Sequence, residues 1–188
     1  MSIADAIVNA AVAATLAMFC AGQPCAGENK PRRIADAPQR GAPLSPAEAA
    51  ASDLTVFPDG TGLPPGRGNA LEGRQIFAQR CAACHGEAGR GATAEELAGR
   101  TAPLTSESPD KTIGQYWPYA TTLFDFIRRG MPLNAPGSLS DEDVYALTAY
   151  LLHINEIIAE RDEMNAVTLP RVAMPNRNGF IGIDAVSP

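Results

Sequence analysis

Apolar residues recur at helical spacing in three stretches of the chain, and the most regular stretch lies nearest the C-terminal end. Alternating steps of three and four residues there separate the apolar positions Val144, Leu147, Leu151, Ile154 and Ile158. Such steps place the side chains on one face of an α-helix. Ser140, followed three residues later by Asp143, is a helix-start signal. The pattern therefore predicts a buried amphipathic helix over residues 140–158.

A first helix is predicted from Asn69, which can cap it together with Glu72 three residues later. Gly73 and Phe77 fall on the same face of this helix. We expect Tyr150 or a neighbour on the last helix to pack over these two residues, because a glycine lets two helix backbones approach closely.

A second helix is predicted from Thr122, with Asp125 as its capping partner and Gly130 as its end. Residues 86–120 are interrupted by glycine and proline, and we interpret them as a loop with a short helix at 94–98. The helical pattern is thus confined to residues 69–160.

The regions on both sides of the predicted domain lack periodicity. Residues 28–68 are rich in proline, glycine and alanine, and residues 161–188 lose the helical pattern again. Proline- and glycine-rich stretches of this kind are typical of irregular structure. We therefore predict an all-α domain at 69–160 with extended N- and C-terminal arms.

The chemistry-bearing motif lies at the end of the first predicted helix, where Cys81, Cys84 and His85 form the pattern C-x-x-C-H. This is the pattern of covalent haem attachment. Each cysteine sulfur can add to one haem vinyl group, since one helical turn places both sulfurs on the same face. His85 can then bind the iron as proximal imidazole. We predict one covalent haem c held by these three residues.

Other sites built on a C-x-x-C pair fit the chain poorly. A structural zinc site needs about four ligands, usually in two clusters, and a thioredoxin-like pair needs βαβ patterning. Beyond residue 25, the only cysteines are Cys81 and Cys84, and the only histidine besides His85 is His153.

Met131 is the predicted second axial ligand of the iron. Pro132 forces the residue before it into an extended conformation, which takes Met131 out of the preceding helix and frees its side chain. Among the other methionines beyond residue 27, Met174 is a distant second candidate, because it lies after the last helix. His153 falls on the polar helix face and is interpreted as a solvated histidine.

Two further contacts around the haem are candidates. Trp117, with Tyr116 or Tyr119, can hydrogen-bond a haem propionate, or these can simply be half-buried aromatic residues. The Pro103 carbonyl is a candidate acceptor for the His85 ring N–H, which would orient the imidazole.

The N-terminal segment indicates export. An apolar run at residues 7–19 is followed by the small residues Ala26 and Gly27, so that residues 1–27 resemble a signal peptide. The run is too short to span a bilayer, which needs about 20 residues. We expect a periplasmic protein without a transmembrane anchor. The 188 residues carry 21 acidic and 15 basic side chains, a net charge of −6, which argues against nucleic acid as a partner.

The order of motif, Met131 and helices resembles small class I cytochromes c over residues 69–158. Three further segments look like the cytochrome subunits of molybdenum sulfite dehydrogenases, including the Sox-type sulfur dehydrogenase: VFPDGTGLP at 56–64, YWPYATTLFD at 116–125 and MPNRNGF at 174–180. That Sox subunit carries two haem-binding domains, whereas this chain has a single C-x-x-C-H. The resemblance therefore implies a monohaem relative with a class I cytochrome c fold.

The resemblance also implies a function. The chain would pass electrons from a molybdopterin-containing dehydrogenase subunit to a soluble cytochrome c or terminal oxidase, without catalysing a reaction alone. Two alternatives remain open: a general electron shuttle with no fixed partner, and a haem enzyme or gas sensor with an open sixth position. The long arms, as possible docking surfaces, disfavour the shuttle, and Met131 disfavours the open site.

Overall fold

A computed structural model describes residues 41–99 and 102–181. The chain divides into two units, residues 1–44 and 45–188. Only residues 41–44 of the first unit are described, and they contain no helix or strand. The predicted signal peptide at 1–27 therefore lies outside the described residues, as do the start of the N-terminal arm and the end of the C-terminal arm.

Nearly all of the regular secondary structure in the described part of the second unit is helical, which confirms the all-α class. Its elements in chain order are α1 (Pro46–Ser52), β1 (Arg67–Gly68), α2 (Ala70–Arg80), α3 (Ala82–His85), a 3₁₀ turn (Glu87–Gly89), α4 (Ile113–Tyr116), α5 (Ala120–Gly130), α6 (Asp141–Ile154), β2 (Met164–Asn165) and a second 3₁₀ turn (Leu169–Arg171).

Side chains cap helices α2 and α6 as the sequence predicts. The Asn69 side chain accepts hydrogen bonds from the backbone N–H groups of Leu71 and Glu72, and Glu72 Oε2 accepts one from the Asn69 N–H at 3.0 Å. Ser140 and Asp143 make the same reciprocal pair at the start of α6. Each cap satisfies N–H groups that have no partner within the helix.

The crossing of α2 and α6 depends on Gly73. A Cβ atom at this position would overlap the carbonyl of Ala146 and lie 2.7 Å from the Cβ of Tyr150. The rings of Phe77 and Tyr150 pack beside it, with centroids 5.2 Å apart. The predicted packing of Tyr150 over Gly73 and Phe77 is confirmed.

Gly73→Ala is expected to lower the free energy of unfolding by about 1–3 kcal/mol, because the added methyl group must separate two packed helices. Guanidinium unfolding of the haem-loaded protein measures the loss. Gly130→Ala is the matched control, since nothing lies within 4 Å of a Cβ atom there. Equal stability of the two variants would contradict the close crossing.

Helix α6 ends four residues earlier than predicted, at Ile154. Asn155 ends it, because its Nδ2 donates to the Leu151 carbonyl at 2.8 Å and so replaces the next helical bond. Glu156 follows with a φ of 60°, which is not helical. Ile158 therefore keeps the apolar spacing without belonging to the helix.

Helix α5 starts at Ala120 and not at Thr122, and Asp125 does not cap it. Asp125 is only 7% exposed and accepts a hydrogen bond at 3.0 Å from the N–H of Val56, far away in the sequence. Arg129, one turn later, forms an ion pair with the same carboxylate. The predicted short helix at 94–98 is also absent from this described loop.

Both arms contribute to the core of the domain. Antiparallel pairing of β1 with β2 joins Arg67 to Asn165 and Gly68 to Met164. The buried apolar residues that the arms add to the core cluster are Val56, Met164, Leu169, Val172 and Met174. The N-terminal arm also contains α1, where the sequence predicts no helix. These parts of the arms therefore pack on their own domain.

Within the two described ranges, no helix is both long and apolar enough to cross a membrane.

Candidate functional site

The C-x-x-C-H motif occupies the junction between α2 and α3. Cys81 ends α2, and its carbonyl accepts hydrogen bonds from the N–H groups of Cys84 at 3.1 Å and His85 at 3.0 Å. The three residues of the motif therefore lie within a single helical turn. Cys81 is half-buried and Cys84 is exposed, and no disulfide joins them.

The electrostatics of Cys81 differ from those of a redox pair. Burial raises the pKa of its thiol to about 11, although the positive charge of Arg80 acts in the opposite direction. Reactive cysteines in C-x-x-C redox motifs have lowered pKa values, because the thiolate is the nucleophile. Before haem attachment, the Cys81 thiol is therefore not activated in the way that a redox cysteine is.

The His85 ring is oriented by a backbone carbonyl. Its Nδ1 lies 3.2 Å from the carbonyl oxygen of Glu95. Because a carbonyl can only accept, Nδ1 must be the donor, and Nε2 remains the nitrogen that can bind a metal.

The acceptor for His85 is therefore not Pro103. The Pro103 carbonyl instead accepts from the Ser106 N–H at 2.9 Å. Two hydrogen bonds bring the loop with Glu95 back to the motif, from Gly91 N–H to the His85 carbonyl and from Ala94 N–H to the Cys84 carbonyl.

Met131 has the predicted backbone conformation, with φ −114° and ψ 150° directly after α5. Its peptide bond to Pro132 is cis. The side chain is half-buried and lies against the core. Met164 and Met174, by contrast, are 4% and 3% exposed and belong to the core itself.

His153 is not a fully solvated side chain. It is half-buried, and its Nδ1 lies 3.3 Å from the Ile158 carbonyl, just beyond the end of α6. Because this nitrogen has a partner in the following turn, His153 has a local structural role.

The aromatic residues after α4 pack against other aromatic and charged groups. Trp117 is half-buried and meets Phe126 edge to face, with ring centroids 5.8 Å apart. Phe180, in the C-terminal arm, contacts Tyr116 in the same way, and the guanidinium of Arg177 lies 4.7 Å from the ring centre of Tyr119. The C-terminal arm therefore covers the two tyrosines, and the propionate contact of Trp117 stays a prediction.

The donor set matches haem c in its chemistry. It provides two thiols for thioether bonds, an imidazole with Nε2 available, and a methionine thioether. Half-buried apolar side chains packed against the core, among them Leu97 and Leu139, can form a wall for a porphyrin. Within residues 41–99 and 102–181, no group of three or more His, Cys, Asp or Glu side chains could hold a metal ion.

Comparison with known proteins agrees with this chemistry. The family model for cytochrome c matches residues 70–155. The chain is also 40% identical to a chain in the crystal structure of the sulfane dehydrogenase SoxCD from Paracoccus pantotrophus, with a TM-score of 0.71. That match covers 77% of this chain and 72% of the other. The chain belongs to the cytochrome c family.

This cytochrome is also similar to two curated thiosulfate dehydrogenases. It is 35% identical to the one from Stutzerimonas stutzeri over 88 residues, and 30% identical to the one from Psychrobacter arcticus over 118 residues. The matches cover 47% and 57% of the cytochrome, but only 28% and 34% of the relatives. It thus spans about a third of the length of these relatives.

The predicted class I cytochrome c fold is confirmed by the family match and by the SoxCD structure. The same findings make covalently bound haem c the cofactor of this cytochrome.

Proposed function

We propose that this cytochrome carries electrons for a molybdenum-containing dehydrogenase that oxidises sulfite or a related sulfur compound. Its electron acceptor would be a soluble cytochrome c or a terminal oxidase. The observation that supports this proposal is the 40% identity to a chain of the sulfane dehydrogenase SoxCD over most of the cytochrome. Haem c, when bound, supplies an iron that alternates between the ferric and ferrous states.

The proposed roles of the site residues follow from their chemistry. Cys81 and Cys84 hold the haem through thioether bonds. His85 and Met131 would be the ligands of the iron, since paired imidazole and thioether ligands are usual in cytochromes c and raise the potential. The Glu95 carbonyl fixes the donor nitrogen of His85. Trp117 is a candidate contact for a propionate.

We also propose a periplasmic location, with residues 1–27 as a cleaved signal peptide. The apolar run at 7–19 and the small residues that follow support it. Export also fits the cofactor, because bacteria attach haem c outside the cytoplasm.

The arms do not by themselves support a fixed partner. Val56, Met164 and Met174 are buried in the core, so these parts of the arms have a structural role within the domain. The proposal therefore depends on the relationship to SoxCD. The experiment must distinguish a cytochrome that is bound to a dehydrogenase from a free electron shuttle.

Gentle purification from the native periplasm tests the proposal. The oxidised sample is mixed with sulfite or with thiosulfate, and the haem α-band and the molybdenum content are measured. We expect rapid haem reduction in fractions that contain molybdenum, and none with sulfate, which is already fully oxidised.

Three other outcomes are informative. A haem that stays ferric beside molybdenum, but is reduced by dithionite, would exclude both sulfur compounds as donors. Purification without molybdenum would favour the free shuttle. Rapid binding of carbon monoxide or cyanide would instead favour an enzyme or sensor with an open sixth position.

A further inference from the structure

We propose that Asn155 is a positioning residue for the proximal ligand: it holds the loop that presents the Glu95 carbonyl to His85. The proposal extends the function proposed above, because it rests on His85 as an iron ligand. Asn155 lies at the end of α6, far from the motif in the sequence, and does not contact the imidazole itself.

Both N–H groups and the oxygen of the Asn155 amide take part in hydrogen bonds. Nδ2 donates to the carbonyls of Leu151 at 2.8 Å and Leu97 at 3.1 Å, and Oδ1 accepts from the Gly114 N–H at 3.1 Å. The residue is only 5% exposed. One buried side chain thus connects the end of α6, the loop after the motif, and the start of α4.

Leu97 joins this connection to the imidazole. Its carbonyl accepts from Asn155 and from the Ile113 N–H at 3.1 Å, and its own N–H donates to the Gly89 carbonyl at 2.7 Å. Glu95, the acceptor for His85 Nδ1, is two residues before Leu97. The Glu95 side chain is exposed, so the position of its carbonyl depends on such bonds in the neighbouring backbone.

Gly114 shows how tightly the amide is held. A Cβ atom at this position would lie 2.8 Å from Asn155 Oδ1 and 3.1 Å from its Cβ. Any side chain here would press against the amide. The Asn155 amide therefore fits at this place only because Gly114 has no side chain.

The loop position has a chemical consequence at the iron. A hydrogen bond from Nδ1–H makes the imidazole a stronger electron donor, which favours the ferric state and lowers the reduction potential. If Asn155 no longer holds Leu97, the Glu95 carbonyl can move away from Nδ1. The potential should then rise.

The test measures the reduction potential of the haem-loaded Asn155→Leu variant by spectroelectrochemical titration. Leucine has the same branched shape and the same number of side-chain heavy atoms as asparagine and adds no charge, but it removes all three hydrogen bonds. We expect an upward shift of the potential and faster amide hydrogen exchange in residues 89–99 and 112–114. Gly114→Ala, which pushes on the amide from the other side, should shift the potential in the same direction.

Leu169→Ala is the control for general destabilisation, because Leu169 is fully buried in the C-terminal arm. It should lower the melting temperature without changing the potential. If Asn155→Leu also lowers only the melting temperature, Asn155 is structural and the proposal is wrong. If Asn155→Leu does not accumulate with haem, Gly114→Ala decides: an unchanged potential in that variant also overturns the proposal.

Failure of the proposed ligation would be recognised separately. Wild-type protein without a low-spin spectrum would contradict His85 and Met131 as iron ligands before any variant is compared.

Discussion

Replacing both Cys81 and Cys84 by alanine is expected to abolish covalent haem binding completely. No thioether bond can form without the two sulfurs of Cys81 and Cys84, which lie within one helical turn at the junction of α2 and α3. Haem-dependent peroxidase staining on a denaturing gel measures the result, because only covalently attached haem remains with the unfolded protein. We expect no stained band from the variant.

The matched control replaces the other two cysteines, Cys20 and Cys25, by alanine. Both lie within the proposed signal peptide, so haem staining of the mature protein should be unchanged. Persistent staining of the Cys81 and Cys84 double variant would show that the haem is attached elsewhere. Loss of staining in the control would instead point to a role of the N-terminal cysteines in maturation.

Met131→Ala is expected to remove the far-red absorption band of ferric iron bound to a thioether, and to lower the reduction potential. A thioether ligand raises the potential, and axial ligands set haem potentials over a range of about 0.8 V. The expected decrease is a substantial fraction of that range. Absorption spectra and a redox titration of the purified variant measure both effects.

Met164→Leu and Met174→Leu are the controls for the loss of a methionine. Both methionines are buried in the core, and a swap of similar volume costs less than about 1.5 kcal/mol. Each control should keep the far-red band and the potential. If the band survives in Met131→Ala and disappears in Met174→Leu, the axial ligand has been assigned to the wrong methionine.

The parts of the fold that follow from short-range patterns could be predicted from the sequence. The caps at Asn69 and Ser140 depend on residues only three positions apart, and their hydrogen bonds form as expected. The packing at Gly73 follows from one missing side chain on a buried helix face. In each case the physical cause is local or needs only one partner surface.

The features that could not be predicted depend on distant partners. Asp125 has the spacing of a capping residue, but its carboxylate binds the N–H of Val56, which is 69 residues away. Asn155 ends α6, and its amide also forms hydrogen bonds with Leu97 and Gly114. The helical spacing of apolar residues continues to Ile158, and it does not indicate that Asn155 has hydrogen-bond partners elsewhere in the chain.

The candidate site divides in the same way. Cys81, Cys84 and His85 lie within five residues, and Pro132 determines the backbone of Met131 directly. The acceptor for His85 is a backbone carbonyl, and any residue type can provide one. The side chains of Glu95 and Pro103 therefore do not indicate which of the two carbonyls accepts from His85. The acceptor is determined by the path of the loop as it returns to the motif.

The pairing of β1 with β2 has a consequence for the order of folding. Its partners Arg67 and Asn165 are about 100 residues apart, and the segment between them contains the complete haem-binding region. Closing so long a loop costs conformational entropy. The few hydrogen bonds between two short strands cannot offset this cost before the helices have packed. The two ends should therefore join late and separate first on heating. A fragment limited to residues 70–155 would lack this closure and would leave the apolar contacts of Val56, Leu169 and Met174 open to water.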